Sequence, residues 1–191
     1  TATWYAVYYL ARTPGAQPVA FAFGGEAHPP DYARAIADGG LLALIACLGL
    51  AQLSHEVTSH LVQLSCTALV FFGVAALPYR TIAPAVALVV GMLGLTLAGA
   101  PALAALLGVG SGLLVVHAPR SDTDRRWGWV GAITLITLAA ALTAWGLELW
   151  RWRIVGGHGE GKEWQSLARL LLWFGWPAWP LALWTVWRWR K

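Results

Sequence analysis

Long apolar runs, broken only by short polar stretches, constrain this chain more than any other feature. They fall at residues 39–53, 61–78, 82–98, 101–117, 128–149 and 167–187. They show neither the alternation of a half-buried strand nor the 3.6-residue stripe of a surface helix. Soluble domains are about 45–50% apolar and about 25% charged. Here 58% of residues are hydrophobic and 12% charged. That balance excludes an ordinary soluble domain, a disordered chain and a nucleic-acid module. The expected architecture is all-α, a polytopic transmembrane bundle of roughly six to seven helices.

Within a single membrane domain over 1–191, residues 1–38 are expected to hold a partial first helix and a loop. Residues 39–118 would form a four-helix segment, and 119–191 two Trp-rich helices joined by a Gly-rich loop. Residues 2–11 are apolar and aromatic but shorter than the roughly 20 residues of a full span. They read as the inner end of a first helix or as an interfacial segment. No basic stretch precedes them, so no cleavable signal peptide is read there. Residues 12–38 carry Pro14, Pro18, Pro29, Pro30 and five charges, and read as a loop with a short helix at 31–38.

The basic residues give an orientation. If the 39–53 helix runs outward, the cytoplasmic side collects Arg12, Arg34, Arg80, Arg120, Arg125, Arg126, Arg188, Arg190 and Lys191. The outer side keeps Arg151, Arg153 and Lys162, with Arg169 near the start of the last helix. This asymmetry places the N-terminus outside and the C-terminus inside a bacterial inner membrane. Twelve of the thirteen tryptophans follow residue 126, and most stand at the ends of apolar runs. That is the pattern of interfacial aromatic belts, in contact with membrane lipids.

The densest polar cluster lies between two apolar runs, Gln52-Leu53-Ser54-His55-Glu56-Val57-Thr58-Ser59-His60. Glu56 and His60 are four apart and would share a helix face, which His55 would join if the segment bends. Imidazole and carboxylate suit copper, zinc or iron, so His55, Glu56 and His60 are the candidate metal ligands. The alternatives are a solvated loop or a cluster that hydrogen-bonds between helices. Cys66 could supply a thiolate to monovalent copper, although packing is the stronger reading. His117 ends an apolar run, where a cation complements the helix dipole. The loop at 156–163 contains G-x-x-x-x-G-K but no following Ser or Thr and no preceding strand, so no nucleotide site is read there. His158 and Glu160 in that loop could extend the outer cluster.

The stretch 39–80 resembles the CtaG-type cytochrome c oxidase assembly family, and with the segment before it the likeness covers about the first 80 residues. Trp4 to Arg12 would be the aromatic and basic end of its first helix, and Leu41 to Leu53 its second. His60-Leu61-Val62-Gln63-Leu64 stands where the family's H-M-x-x-H motif opens the third helix. Leu64 occupies the second histidine's position, or, in another register, Glu56 replaces the first. The family's A-P-P-type segment is missing. The resemblance implies a seven-helix membrane protein that helps insert copper into a terminal oxidase. The lost histidine implies a relative that kept the fold and became a structural partner.

Three functions follow. The first is a non-enzymatic accessory subunit of a larger, respiratory membrane complex, in contact with other membrane subunits. It stands first because it tolerates every departure from the motif. The second is a copper-handling assembly factor for a terminal oxidase. The third is a small-solute channel or transporter, which should show charges deep within its helices or matched broken helices.

Overall fold

The computed structural model describes residues 1–17, 27–46, 59–117 and 123–150, with isolated residues between 165 and 187. Six α-helices and no strands occur among the described residues. They are α1 (Ala2–Ala11), α2 (Pro29–Ile45), α3 (Ser59–Ala76), α4 (Ile82–Leu97), α5 (Pro101–His117) and α6 (Thr123–Gly146). Two segments, Ser59–Ala76 and Asp124–Gly146, are long and apolar enough to cross a membrane. Ile82–Leu97 and Pro101–His117 are shorter apolar helices.

The helix ends follow from local chemistry. Pro29 and Pro30 open α2 at the first positions, where a missing N–H costs nothing. Asp31 then meets the positive end of the dipole and pairs with Arg34 at 2.8 Å. One helix therefore covers both the expected short helix at 31–38 and the start of the 39–53 run. The boundary expected at residue 38 falls inside this helix, because Pro29 and Pro30 have the composition of a loop and the position of a helix start.

The α4–α5 corner is a two-bond cap. Gly99 takes φ 81°, its amide donates to Thr96 O at 3.1 Å, and the Ala100 amide to Leu95 O at 3.0 Å. Pro101 then begins α5. The end of α6 repeats this bonding with a side chain present. Glu148 sits at φ 53°, donating to Trp145 O at 3.0 Å, and the Leu149 amide donates to Ala144 O at 2.8 Å.

Helix α3 packs along α4, α5 along α6, and α4 touches both α5 and α6. The core between them holds Val70 of α3, Leu77 just beyond its end, Leu88, Met92 and Leu95 of α4, and Ile133 of α6. A Cβ at Gly91 would overlap Val70 and the Cys66 carbonyl, and one at Gly94 would overlap Cys66 Sγ. Small residues thus let α3 and α4 approach closely, with the buried Cys66 thiol filling the gap. Helix α1 lies against α2 and α3, where Ala6 and Tyr9 pack on Ala75 and Ala76.

Buried polar side chains bond within their own helices. Thr96 donates to Met92 O at 3.0 Å and Ser111 to Leu107 O at 2.6 Å. Thr137 similarly donates to Ile133 O at 2.7 Å. Each hydroxyl is satisfied without a partner helix, which keeps the core apolar between elements.

Candidate functional site

Two places could carry function: the expected histidine cluster and an arginine–tyrosine cluster at one end of the helices. His55 and Glu56 lie outside the described residues, as do Cys47, His158 and Glu160. His60 is the second residue of α3 and is exposed. Its Nδ1 lies 3.4 Å from Gln63 Oε1, at the outer limit of a hydrogen bond. Gln63 Nε2 donates to Ala98 O at 2.9 Å and ties the start of α3 to the end of α4. Gln63 is therefore a structural clasp that the motif comparison did not anticipate. Among the described residues no group of three or more His, Cys, Asp or Glu could hold a metal.

The opposite end of α3 is richer. Tyr9 of α1 stacks on Tyr79 at 5.1 Å between centroids, and Phe72 lies 6.2 Å from Tyr9. Arg80 Nε donates to the Tyr9 hydroxyl at 2.8 Å. The Arg12 guanidinium sits over the rings of Tyr8 at 5.5 Å and Tyr79 at 5.3 Å. Two cations from helix ends 68 residues apart, 12 and 80, thus share one tyrosine pair. Burial pushes the Tyr79 phenol up, and the Arg12 charge pulls it part of the way back.

The same end gathers three further basic side chains. Arg125 Nη2 donates to Leu77 O at 3.4 Å, and Arg126 Nη1 to Val116 O at 3.5 Å. His117 Nδ1 lies 2.9 Å from Leu113 O in the last turn of α5. The arginines at the start of α6 therefore reach carbonyls at the ends of α3 and α5, where the helix dipoles are negative. The sequence grouped Arg12, Arg80, Arg125 and Arg126 on one side, and the fold brings them to one end. Arg34 and Asp31 pair with each other on exposed surface instead.

Beside Arg80 runs an open apolar groove of about 670 Å³. Leu69 and Phe72 form one wall and Val86, Ala87 and Val90 the other, with Arg80 and Thr81 at its end. A second void between α4, α5 and α6 has no room for a water molecule. Its Ser111 and Thr137 hydroxyls already bond within their helices.

Helix α6 carries two apolar seams on opposite faces. Ile133, Thr137, Ala140 and Ala144 face the bundle. Gly128, Gly131, Leu135, Leu138, Leu142 and Trp145 repeat at spacings of three and four along the other face, and all are exposed. Leu135 is 69% exposed, Leu142 71% and Trp145 79%. A Cβ at Gly128 or Gly131 would meet open space.

Compared with known proteins, the chain matches no family model, no characterised protein and no solved structure. The resemblance to the oxidase assembly family therefore rests on the first 80 or so residues of the sequence alone.

Proposed function

We propose that this chain is an integral membrane bundle acting as a non-catalytic accessory subunit, packed through α6 against a partner helix of a larger membrane complex. The outward seam of α6 carries the reading. Its spacing of three and four is that of helices packed knobs-into-holes. Glycine offers little contact area to lipid, but it lets another helix backbone approach closely. The seam bears no charge from Gly128 to Trp145, so a partner helix there must itself be apolar.

The apolar runs and the basic residues gathered at one end support a bundle of six to seven helices with the N-terminus outside and the C-terminus inside. A respiratory partner is suggested by the resemblance alone. Copper handling would require Glu56, and in a bent segment His55, to join His60; both lie outside the described residues.

Site-specific photocrosslinking tests the proposal. A photoreactive residue is placed at Leu138 or Leu142 on the seam, and at Val109 on the exposed face of α5 as a control. The seam positions should give a discrete protein adduct in the native membrane, and Val109 should give none. A lipid-only pattern at all three positions would overturn the subunit reading. An adduct of twice the chain's mass would replace the foreign partner with a second copy.

A further inference from the structure

We infer that the groove beside Arg80 binds one anionic phospholipid, with its acyl chain along α3 and α4 and its phosphate between Arg80 and Arg12. This rests on the reading of the chain as a membrane protein.

The groove is built like an amphiphile in negative. Its length from Ile82 to Val90 spans nine residues of α4, or about 12 Å at the helical rise. Side chains along it are Leu69, Phe72, Val86, Ala87 and Val90, and the charge stands only at the end, on Arg80. The volume of about 670 Å³ falls within the roughly 300–1,000 Å³ of ligand-sized sites.

Charge complementarity selects the headgroup. Arg80 uses Nε on the Tyr9 hydroxyl, and among the described residues its terminal nitrogens have no hydrogen-bond partner. Arg12 is held by ring faces, and among the described residues neither arginine pairs with a carboxylate. Two oriented guanidinium groups without an acidic neighbour suit a phosphate oxyanion. Among the described residues no acidic side chain lines the groove to receive the cation of a zwitterionic headgroup. A free phosphate would use the arginines but leave the apolar walls without a role.

The full chain is first tested for membrane integration by alkaline carbonate extraction. Release into the supernatant would overturn the membrane reading itself. The protein retained in the membrane is then purified in mild detergent. Native mass spectrometry follows with added dioleoylphosphatidylglycerol, dioleoylphosphatidylcholine or inorganic phosphate. One phosphatidylglycerol should bind in clear preference to phosphatidylcholine. Arg80→Gln and Arg12→Gln should each weaken it about fivefold, the equivalent of ~1 kcal/mol per interfacial arginine. Val86→Trp changes an exposed side chain, leaves both arginines in place and should block the apolar half. Equal binding of the two lipids would overturn the inference, as would selectivity unchanged in Val86→Trp and the arginine variants. Displacement of the lipid by inorganic phosphate at similar concentration would show an anion site without a chain groove, and would also overturn it.

Discussion

Replacing Gly91 with alanine should separate α3 from α4, and the structure supplies the size of the effect. A Cβ at Gly91 would lie 2.8 Å from Val70 Cγ2, 2.9 Å from the Cys66 carbonyl oxygen and 3.1 Å from the Val70 amide nitrogen. Two of these neighbours are backbone, so no rotamer change relieves the overlap. Overpacking of this kind costs about 1–3 kcal/mol, and the backbone contacts place it in the upper half of that range. Alanine regains about 1 kcal/mol of helix propensity, leaving a net loss of about 1–2 kcal/mol. Gly110 on α5 is the control, because a Cβ there meets nothing within 4 Å. Gly110→Ala should gain the same propensity and lose nothing. Thermal unfolding in mild detergent, followed by circular dichroism, should rank Gly110→Ala above wild type and Gly91→Ala below it. If Gly91→Ala equals or exceeds Gly110→Ala, the close α3–α4 approach does not exist as described.

Other consequences can be checked on the same preparation. Gly99→Ala should lower stability by about 1 kcal/mol, because φ 81° suits glycine, whereas Glu148→Gly should match or exceed wild type at φ 53°. Thermal unfolding reads both. The Tyr79 phenol should titrate above pH 10.0. The stabilisation linked to its neutral form should be complete below about pH 10 and fall as pH rises through the raised folded value, since the folded chain holds the proton longer. Arg12→Gln should raise that titration further, read as the phenolate absorbance difference against Tyr79→Phe. Metal analysis of the purified chain after exposure to monovalent copper should show no stoichiometric metal dependent on His60. Copper that disappears in His60→Ala would instead support the assembly-factor reading.

The apolar runs located the helices well where polar breaks were sharp. The 2–11, 82–98 and 101–117 segments correspond to Ala2–Ala11, Ile82–Leu97 and Pro101–His117. Gly99 followed by Pro101 is an unambiguous stop and start. The α2 boundary was obscured because Pro29, Pro30 and Asp31 are loop signals in composition and helix signals only by position. The tyrosine–arginine cluster is not visible in the sequence, because one half lies at the end of α1 and the other in the α3–α4 turn, about 70 residues on. Tyr8-Tyr9 followed by Arg12 and the pair Tyr79-Arg80 carried a usable hint: each places aromatic and basic side chains where an apolar run ends. The histidine motif drew attention to the other end of α3. There Gln63 joins α3 to α4, while His55 and Glu56 lie outside the described residues. The outward seam of α6 was readable as spacing, yet its exposure depends on which face Ile133 and Ala140 bury.

Whether α6 meets a partner helix decides between a subunit and a lipid-facing bundle. The most direct measurement is the crosslink yield at Leu138 in the native membrane, compared between the otherwise unchanged chain and Gly131→Leu. Gly131 faces open space, so the added side chain leaves the bundle itself undisturbed. A discrete protein adduct that is lost in Gly131→Leu, with unfolding temperature unchanged, is the expected result. An adduct of equal yield in both chains, or none in either, would contradict the claim that this seam joins a larger complex.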